Sequence, residues 1–153
     1  MPHPPRVGAG AALDHVGLSV ADLDAALGWY ARALGWRSAS PFIVASLGLR
    51  GAFLVSEDGQ AIELLERQGS GHGLRAQNPQ EALLTRGYGH ICLRVDDTTA
   101  WHTRLVAAGA TERQAPGDAP EPGVRFSFVA DPEGNLIELL DRPYPVGSPT
   151  AER

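Results

Sequence analysis

Hydrophobic and polar residues alternate in the same order at two places in the chain. HVGLSV at 15–20 and HICLRV at 90–95 have apolar residues at every second position, as half-buried strands do. Each strand is followed by an aspartate that can cap a helix, Asp22 or Asp97, and then by apolar residues at helical spacing. Two or three further strands follow in each case, joined by the hairpin sequences EDGQ and DPEGN. Each half of the chain is therefore predicted to be a βαβββ module or close to it.

Glycine and proline mark where the predicted elements begin and end. Gly35 and Gly109 follow the last apolar residue of each helix and are expected to end it in the left-handed conformation. Between the halves, Pro79 begins a short predicted helix that Gly87 ends. The stretch APGDAPEPG at 115–123 is rich in proline and glycine, so we expect it to form a loop without regular structure.

The two halves are related by a duplication. Laying residues 15–67 on residues 90–142, at a constant offset of 75 and without a gap, gives sixteen identities in 53 positions. That fraction, about 30%, is several times what unrelated sequences of ordinary composition give. A shared capping aspartate alone would not produce a common register of this length. The repeated residues include the pairs His15/His90, Arg50/Arg125, Phe53/Phe128 and Glu63/Glu138.

This repeat predicts an α+β fold built from two tandem βαβββ modules within a single domain. The domain is expected between two disordered tails, with a glycine-rich linker that joins its two modules. The predicted boundaries are 1–10 for the first tail, 11–145 for the domain, 146–153 for the second tail, 13–67 for module one, 68–87 for the linker and 88–142 for module two.

Composition narrows the classes of protein that fit this pattern. The 153 residues carry a net charge of -5, which argues against a nucleic-acid binder because phosphate neutralisation needs a basic face. All 13 basic residues are arginine, so lysine Schiff-base chemistry is not available. The single Cys92 excludes an intramolecular disulfide and a cysteine-rich zinc site. No apolar run is long enough to span a bilayer, and MPHPPRVGAG lacks the apolar core of a signal peptide, so we expect a soluble cytoplasmic protein.

The duplication places two histidines and two glutamates at matching positions. Ile62 and Leu64 belong against the helix, so period-two alternation turns Glu63 to the opposite face. The same alternation turns His15 away from the helix. Two imidazoles and two carboxylates converging from the two modules would make a divalent metal site, and the cation would offset the cost of burying the carboxylates. The candidate metal ligands are His15, Glu63, His90 and Glu138.

Three stretches also resemble a known family: LDHVGLSVADLDAALGWYARALGW, GYGHICLRVDD and VRFSFVADPEGNLIELL. They are similar to the vicinal oxygen chelate superfamily, which includes glyoxalases, methylmalonyl-CoA epimerases, extradiol dioxygenases and bleomycin-type resistance proteins. The resemblance implies that the modules form a curled mixed sheet around a metal cleft, with the ligands at the four residues named above. It also implies one divalent ion per site (Zn, Ni, Co, Mn or Fe), a small-molecule substrate and a homodimer. Whether each site forms within one chain or across the dimer stays open.

The ligand set favours one branch of chemistry. It resembles that of glyoxalases, which implies a metal-dependent lyase or isomerase that moves a proton next to a carbonyl. Glu138 is the first choice for the carboxylate that moves this proton, and Glu63 is the second. The epimerase branch is an alternative, although the carboxylate that it usually carries before its second strand is absent from SPFIVASLGLR. A metal-free drug-binding resistance protein and an iron-dependent extradiol dioxygenase are further alternatives.

Three other residues have more than one interpretation. Arg50 and Arg125 could pair with aspartates or backbone carbonyls, or one of them could clamp a substrate carboxylate through two parallel hydrogen bonds. Cys92 is expected to face the cleft by alternation, where a lone thiol is more often packed than nucleophilic.

Overall fold

Each half of the chain contains one strand, one longer helix and three further strands, in the predicted order. The computed structural model describes residues 10–148, so most of the predicted tails 1–10 and 146–153 lies outside the described residues. The chain divides into one compact unit that ends at Ser70 and a second that begins at Gly71. Each unit contains one mixed four-stranded sheet, which confirms the predicted α+β class and the βαβββ modules.

The first unit contains β1 (Val16–Val20), α1 (Leu23–Leu34), β2 (Arg37–Val44), a 3-10 helix (Ala45–Leu47), β3 (Leu49–Val55) and β4 (Ala61–Arg67). Its strand order is β1-β4-β3-β2. β1 and β4 are parallel, with Gly17 opposite Glu63, whereas the other neighbours are antiparallel. A parallel pair needs a crossover connection, and α1 with the β2–β3 hairpin supplies it.

The second unit repeats this topology after a short helix: α2 (Pro79–Ala82), β5 (His90–Arg94), α3 (Thr98–Ala107), β6 (Thr111–Asp118), β7 (Arg125–Ala130) and β8 (Leu136–Asp141). Its strand order is β5-β8-β7-β6, with β5 and β8 parallel and Cys92 opposite Glu138. Because the two registers match at the offset of 75, the first strand of each unit lies beside the strand that carries its glutamate.

The core of each unit lies between its helix and one face of its sheet. Leu54 and Leu64 are fully buried on that face in the first unit, as are Ile137 and Leu139 in the second. The strand residues between them belong to the opposite face, and in the second unit Phe128 of that face packs in an apolar cluster with residues 76 and 82 of the linker.

One polar group does enter the core of the second unit. His102 of α3 is buried, with Nδ1 3.0 Å from the Ser127 hydroxyl oxygen and Nε2 2.8 Å from a Glu112 carboxylate oxygen. Both ring nitrogens are therefore satisfied, and the imidazole ties α3 to β6 and β7.

The predicted signals at the ends of the two longer helices are confirmed. The Asp22 and Asp97 carboxylates each accept the backbone N–H three residues on, at 2.9 Å in both helices. Gly35 has φ 74° and Gly109 has φ 105°, both in the left-handed region. Over residues 10–148, no helix is long and apolar enough to cross a membrane.

The linker helix is shorter than predicted. Its cap is as expected, because the Asn78 side chain accepts the Glu81 N–H at 2.8 Å. The helix ends at Ala82 instead of running to Gly87. Leu83 and Leu84 are 81% and 85% exposed, so no apolar packing extends the helix beyond its first turn.

The proline-rich segment of the second unit is not wholly a loop. β6 continues to Asp118, so residues 115–118 belong to a strand, and only the rest of the 115–123 stretch connects it to β7. Pro116 lies at a register shift between Gln114 and Gly117. A proline has no N–H to donate, and such a shift is where a strand tolerates it.

Replacing Gly35 by alanine is expected to lower the free energy of unfolding by about 1 kcal/mol, because alanine is strained at positive φ. A Cβ built on Gly35 meets no atom within 4 Å, so the strain comes from the backbone and not from a clash. Gly73 has equally open surroundings and no positive φ, which makes Gly73→Ala the matched control. Equal denaturation midpoints for both variants would show that Gly35 is not held in the left-handed conformation.

Candidate metal centre

In the first unit, two of the predicted ligands lie side by side. His15 immediately precedes β1, and Glu63 lies in the middle of the neighbouring β4. The imidazole Nε2 is 3.3 Å from the Glu63 Oε2, and the Glu63 side chain is 21% exposed. Gly17 lies opposite Glu63 in the parallel ladder, and a Cβ on this glycine would be 3.8 Å from the same oxygen. The small residue therefore leaves space beside the carboxylate.

The second unit has an equivalent pair. His90 is the first residue of β5, and its Nε2 is 3.1 Å from the Oε2 of Glu138 in β8. The Glu138 side chain is 16% exposed. Both pairs are thus formed by the same two strands of the repeat and use the same atoms.

An aromatic ring supports each histidine. The His15 ring packs edge-on against Phe53, with centroids 5.2 Å apart, and the His90 ring packs edge-on against Phe128 at 5.1 Å. The two phenylalanines are opposite the glutamates in the β3–β4 and β7–β8 ladders. Neither phenylalanine was predicted to belong to the site, although their identity in the repeat was a usable signal. Each phenylalanine packs against one side of its imidazole, and the Nε2 atom of that ring lies next to the glutamate carboxylate.

Asp14 distinguishes the first pair from the second. Its carboxylate is 2.8 Å from the Nδ1 of His15, and the duplication has a glycine at the matching position, Gly89. The hydrogen bond to Asp14, with a further contribution from Glu63, raises the pKa of His15 above its usual value. A proton on Nδ1 leaves Nε2 as the nitrogen that can bind a metal in the neutral imidazole.

Cys92 lies beside the second glutamate, as alternation predicted. Partial burial and the neighbouring Glu138 carboxylate raise the pKa of its thiol to about 12. A thiol with this pKa stays protonated near neutral pH and is a poor nucleophile. Cys92 is exposed, so these surroundings argue against a nucleophilic thiol without making it a packed one.

Arg50 lies on the helix side of its sheet, away from Glu63. Its guanidinium donates two hydrogen bonds to Glu66, at 3.0 and 2.8 Å, and a third to Asp24 at 2.9 Å. Glu66 also accepts the N–H of Leu23 at the start of α1. These contacts raise the pKa of Arg50 and lower that of Glu66, with the hydrogen bond between the two groups as the largest cause. The arginine thus joins α1 to the sheet.

Arg125 is in an equivalent position in the second unit. It lies next to Phe126 at the start of β7, and its guanidinium donates to Asp118 across the β6–β7 ladder at 2.9 Å. Of the two interpretations that the sequence left open for these arginines, their contacts support the structural one. The substrate clamp stays a prediction from the sequence.

Comparison with known proteins gives the chain a family and a set of named relatives. The family model described as Glyoxalase/Bleomycin resistance protein/Dioxygenase superfamily matches residues 12–139. The chain is 31% identical over 137 residues to a protein of Haemophilus influenzae named lactoylglutathione lyase, covering 83% of this chain and 90% of that one. It is 33% identical over 135 residues to a Cereibacter sphaeroides protein named ethylmalonyl-CoA/methylmalonyl-CoA epimerase, covering 83% and 95%.

Solved structures agree with the fold. Glyoxalase I from Zea mays matches with a TM-score of 0.64 at 22% identity, over 84% of this chain. The chain spans only 44% of that longer protein, and at this identity the likeness bears on the fold alone. The family resemblance of the strand and turn motifs is confirmed by the family match and these relatives together. The chain belongs to the Glyoxalase/Bleomycin resistance protein/Dioxygenase superfamily.

Proposed function

We propose that His15, Glu63, His90 and Glu138 hold one divalent metal ion, and that the protein is a metal-dependent lyase or isomerase of the glyoxalase type. The observation that carries the proposal is that the same His–Glu pair is built twice, each time against an equivalent phenylalanine. Either residue alone would be unremarkable on a strand, but a duplicated pair on the face away from the helix is typical of a ligand set.

The spacing of each pair suits two ligands of one ion. Ligand atoms about 2.1 Å from a metal are about 3.0 Å apart at a right angle and about 3.4 Å apart at the tetrahedral angle. The observed Nε2–Oε2 distances of 3.3 Å in the first unit and 3.1 Å in the second lie within that range. Over the residues that the structure describes, no three His, Cys, Asp or Glu side chains are close enough together to hold a metal ion. A full ligand set would therefore need both pairs.

The donor chemistry fits a divalent transition metal. Two imidazole nitrogens and two carboxylate oxygens suit Zn, Ni, Co, Mn or Fe, and the two carboxylates balance the charge of a dication. We propose that the two pairs meet in a cleft of a curled sheet, as the family resemblance implies. A bound metal would act as a Lewis acid that stabilises negative charge on the substrate oxygens.

Glu138 is proposed to move the proton. Its Oε2 would take the proton from a hydroxyl-bearing carbon next to a carbonyl; the C–H electron pair would form the C=C bond and the carbonyl π pair would pass to its oxygen, which gives an enediolate. Returning that proton to the former carbonyl carbon, while the hydroxyl proton passes to the enediolate oxygen, completes the isomerisation. Glu63 is the second choice for this base, since the duplication gives it an equivalent histidine and phenylalanine. Phe53 and Phe128 would exclude water on one side of the reacting group.

A methylmalonyl-CoA-epimerase-like activity is the second candidate. The 33% identity to the named epimerase favours it, and its chemistry is also proton transfer next to a carbonyl. The absence of a carboxylate from residues 40–50 speaks against it, since epimerases of this family usually carry one there. A non-catalytic drug-binding protein and an extradiol dioxygenase are weaker alternatives. A homodimer, a small-molecule substrate and a cytoplasmic location stay predictions from the sequence.

A substrate panel tests the proposed activity. Metal-loaded protein is assayed against hemithioacetals of several thiols and against acyl-CoA thioesters, with EDTA-treated protein as the control. We expect isomerisation of at least one hemithioacetal, lost with EDTA and restored by adding the metal back. Epimerisation of an acyl-CoA without hemithioacetal turnover would favour the second candidate. Activity that EDTA leaves unchanged would contradict the metal-dependent mechanism.

A further inference from the structure

A small polar cavity lies in the second unit at the end of the sheet where β7 turns into β8. It has a volume of about 220 Å³, and its walls come from residues 75–77, from Thr111 and Arg113 of β6, and from the 131–134 turn. Pockets that hold whole drug-sized ligands have roughly 300–1,000 Å³. This cavity therefore suits one end of a ligand.

A β-bulge sets Arg113 apart from Ser38, the residue at the matching position of the repeat. Glu112 and Gln114 pair with successive residues of β7, so Arg113 is an extra residue between them. The equivalent residues of the first unit, 37–39, pair with β3 without a shift. Bulges re-aim side chains and are common beside functional sites. The second unit has thus diverged from the first at this point of the sheet.

Two arginines line the cavity. Arg113 donates from Nη1 to the side-chain oxygen of Gln77 at 3.0 Å, whereas its buried Nε has no hydrogen-bond partner among the described residues. A buried donor without an acceptor is costly, so such a group calls for an explanation. The Arg75 side chain lies over the turn, because a Cβ on Gly134 would be 3.9 Å from its Cγ.

One acidic side chain of the wall binds the turn itself. The Asp131 carboxylate is buried and accepts the backbone N–H groups of Glu133 and Asn135 at 2.9 Å, together with the Asn135 side-chain amide. It is engaged in holding the turn. Asp131 and Glu133 balance the formal charge of the two arginines, so recognition here would rest on directed N–H donors and not on a strong positive field.

We propose that this cavity binds an oxyanion, the carboxylate or phosphate end of a small ligand, between Arg75 and Arg113. Thr111 lies at the cavity, and His90 lies at the other end of the same row of paired residues across the sheet. The two residues are three strand spacings apart, roughly 14 Å. If the proposed function holds, on which this step rests, the substrate class is one with an anionic end at about this distance from its reacting carbon.

The test uses the full-length, EDTA-treated protein, labelled with ¹⁵N, and follows backbone amide shifts in NMR spectra. Inorganic phosphate and propionate are titrated separately, which distinguishes the two sources of an oxyanion. We expect saturable shifts at the amides of Gln77, Thr111 and Gly134 with at least one of them. Arg113→Gln and Arg75→Gln should each weaken binding about tenfold or more, since each removes a charged donor.

The control is Arg37→Gln, which removes an exposed arginine at the strand position equivalent to Glu112 and should leave the affinity unchanged. Arg75 is exposed on the linker, so its variant carries the test even if Arg113→Gln does not fold. Absence of saturable shifts at these amides with both anions, or equal weakening by Arg37→Gln, would overturn the proposal. No metal is present in this NMR experiment. A negative result would therefore not bear on the metal-binding and turnover experiments, and failure of those experiments would not change the amide shifts expected here.

Discussion

Glu138→Gln is expected to lower turnover of the substrate found in the panel by about 10²–10⁴, the usual contribution of a positioned general base. Glutamine keeps an oxygen ligand and the shape of the side chain but cannot take a proton at neutral pH. The metal should still bind, although more weakly, because a neutral amide replaces an anionic ligand. Steady-state kinetics at saturating metal separate the loss of the base from the loss of affinity.

Glu63→Gln is the matched comparison, since the duplication gives Glu63 an equivalent histidine and phenylalanine. We expect a milder loss, because epimerases of this family often have glutamine at this position and still transfer protons. Full turnover in Glu138→Gln together with inactivity in Glu63→Gln would mean that the two roles are exchanged. If both variants stayed fully active with metal bound, a ligand carboxylate is not the base.

His15→Ala and His90→Ala are expected to have the largest effect on metal affinity. Losing a residue that only orients a ligand typically costs 10–100-fold, so losing a ligand should cost at least about a hundredfold. Isothermal titration of the metal-free variants measures this directly. The two losses should be similar in size, because each histidine faces its glutamate through Nε2 at nearly the same distance.

His72→Ala is the control for these titrations. His72 is an exposed histidine of the linker whose ring contacts Arg75, and it has no counterpart in the repeat. Its removal should leave metal affinity unchanged. An unchanged affinity in His15→Ala beside a large loss in His90→Ala would show that only the second unit binds the ion.

Repetition made most of the fold predictable from the sequence. Alternation located β1 and β5, and the capping aspartates and terminal glycines located α1 and α3, because each of these signals acts within a few residues. The same alternation, applied twice, brought each histidine to its glutamate. Local signals failed where packing decides the outcome. The linker helix stops at Ala82 because Leu83 has nothing to pack against, which the sequence could not reveal.

The remaining features of the site depend on pairing across strands. The repeat identified Arg50 as significant, but only its opposition to Glu66 in the β3–β4 register shows that it belongs to the helix side. The support of His15 by Phe53 likewise follows from the register. The bulge at Arg113 breaks the very periodicity from which strand faces are read, so no alternation argument could have found it.

The number of metal ions bound per chain tests the central claim most directly. Metal-free protein is titrated with Ni²⁺ or Zn²⁺, and the stoichiometry is read from the calorimetric equivalence point and checked by elemental analysis after gel filtration. A site made from both His–Glu pairs predicts one ion per chain, whether it forms within a chain or across a dimer, and each of the four ligand variants should weaken that same site. Two ions per chain, or no retained ion, would contradict a single site shared by His15, Glu63, His90 and Glu138.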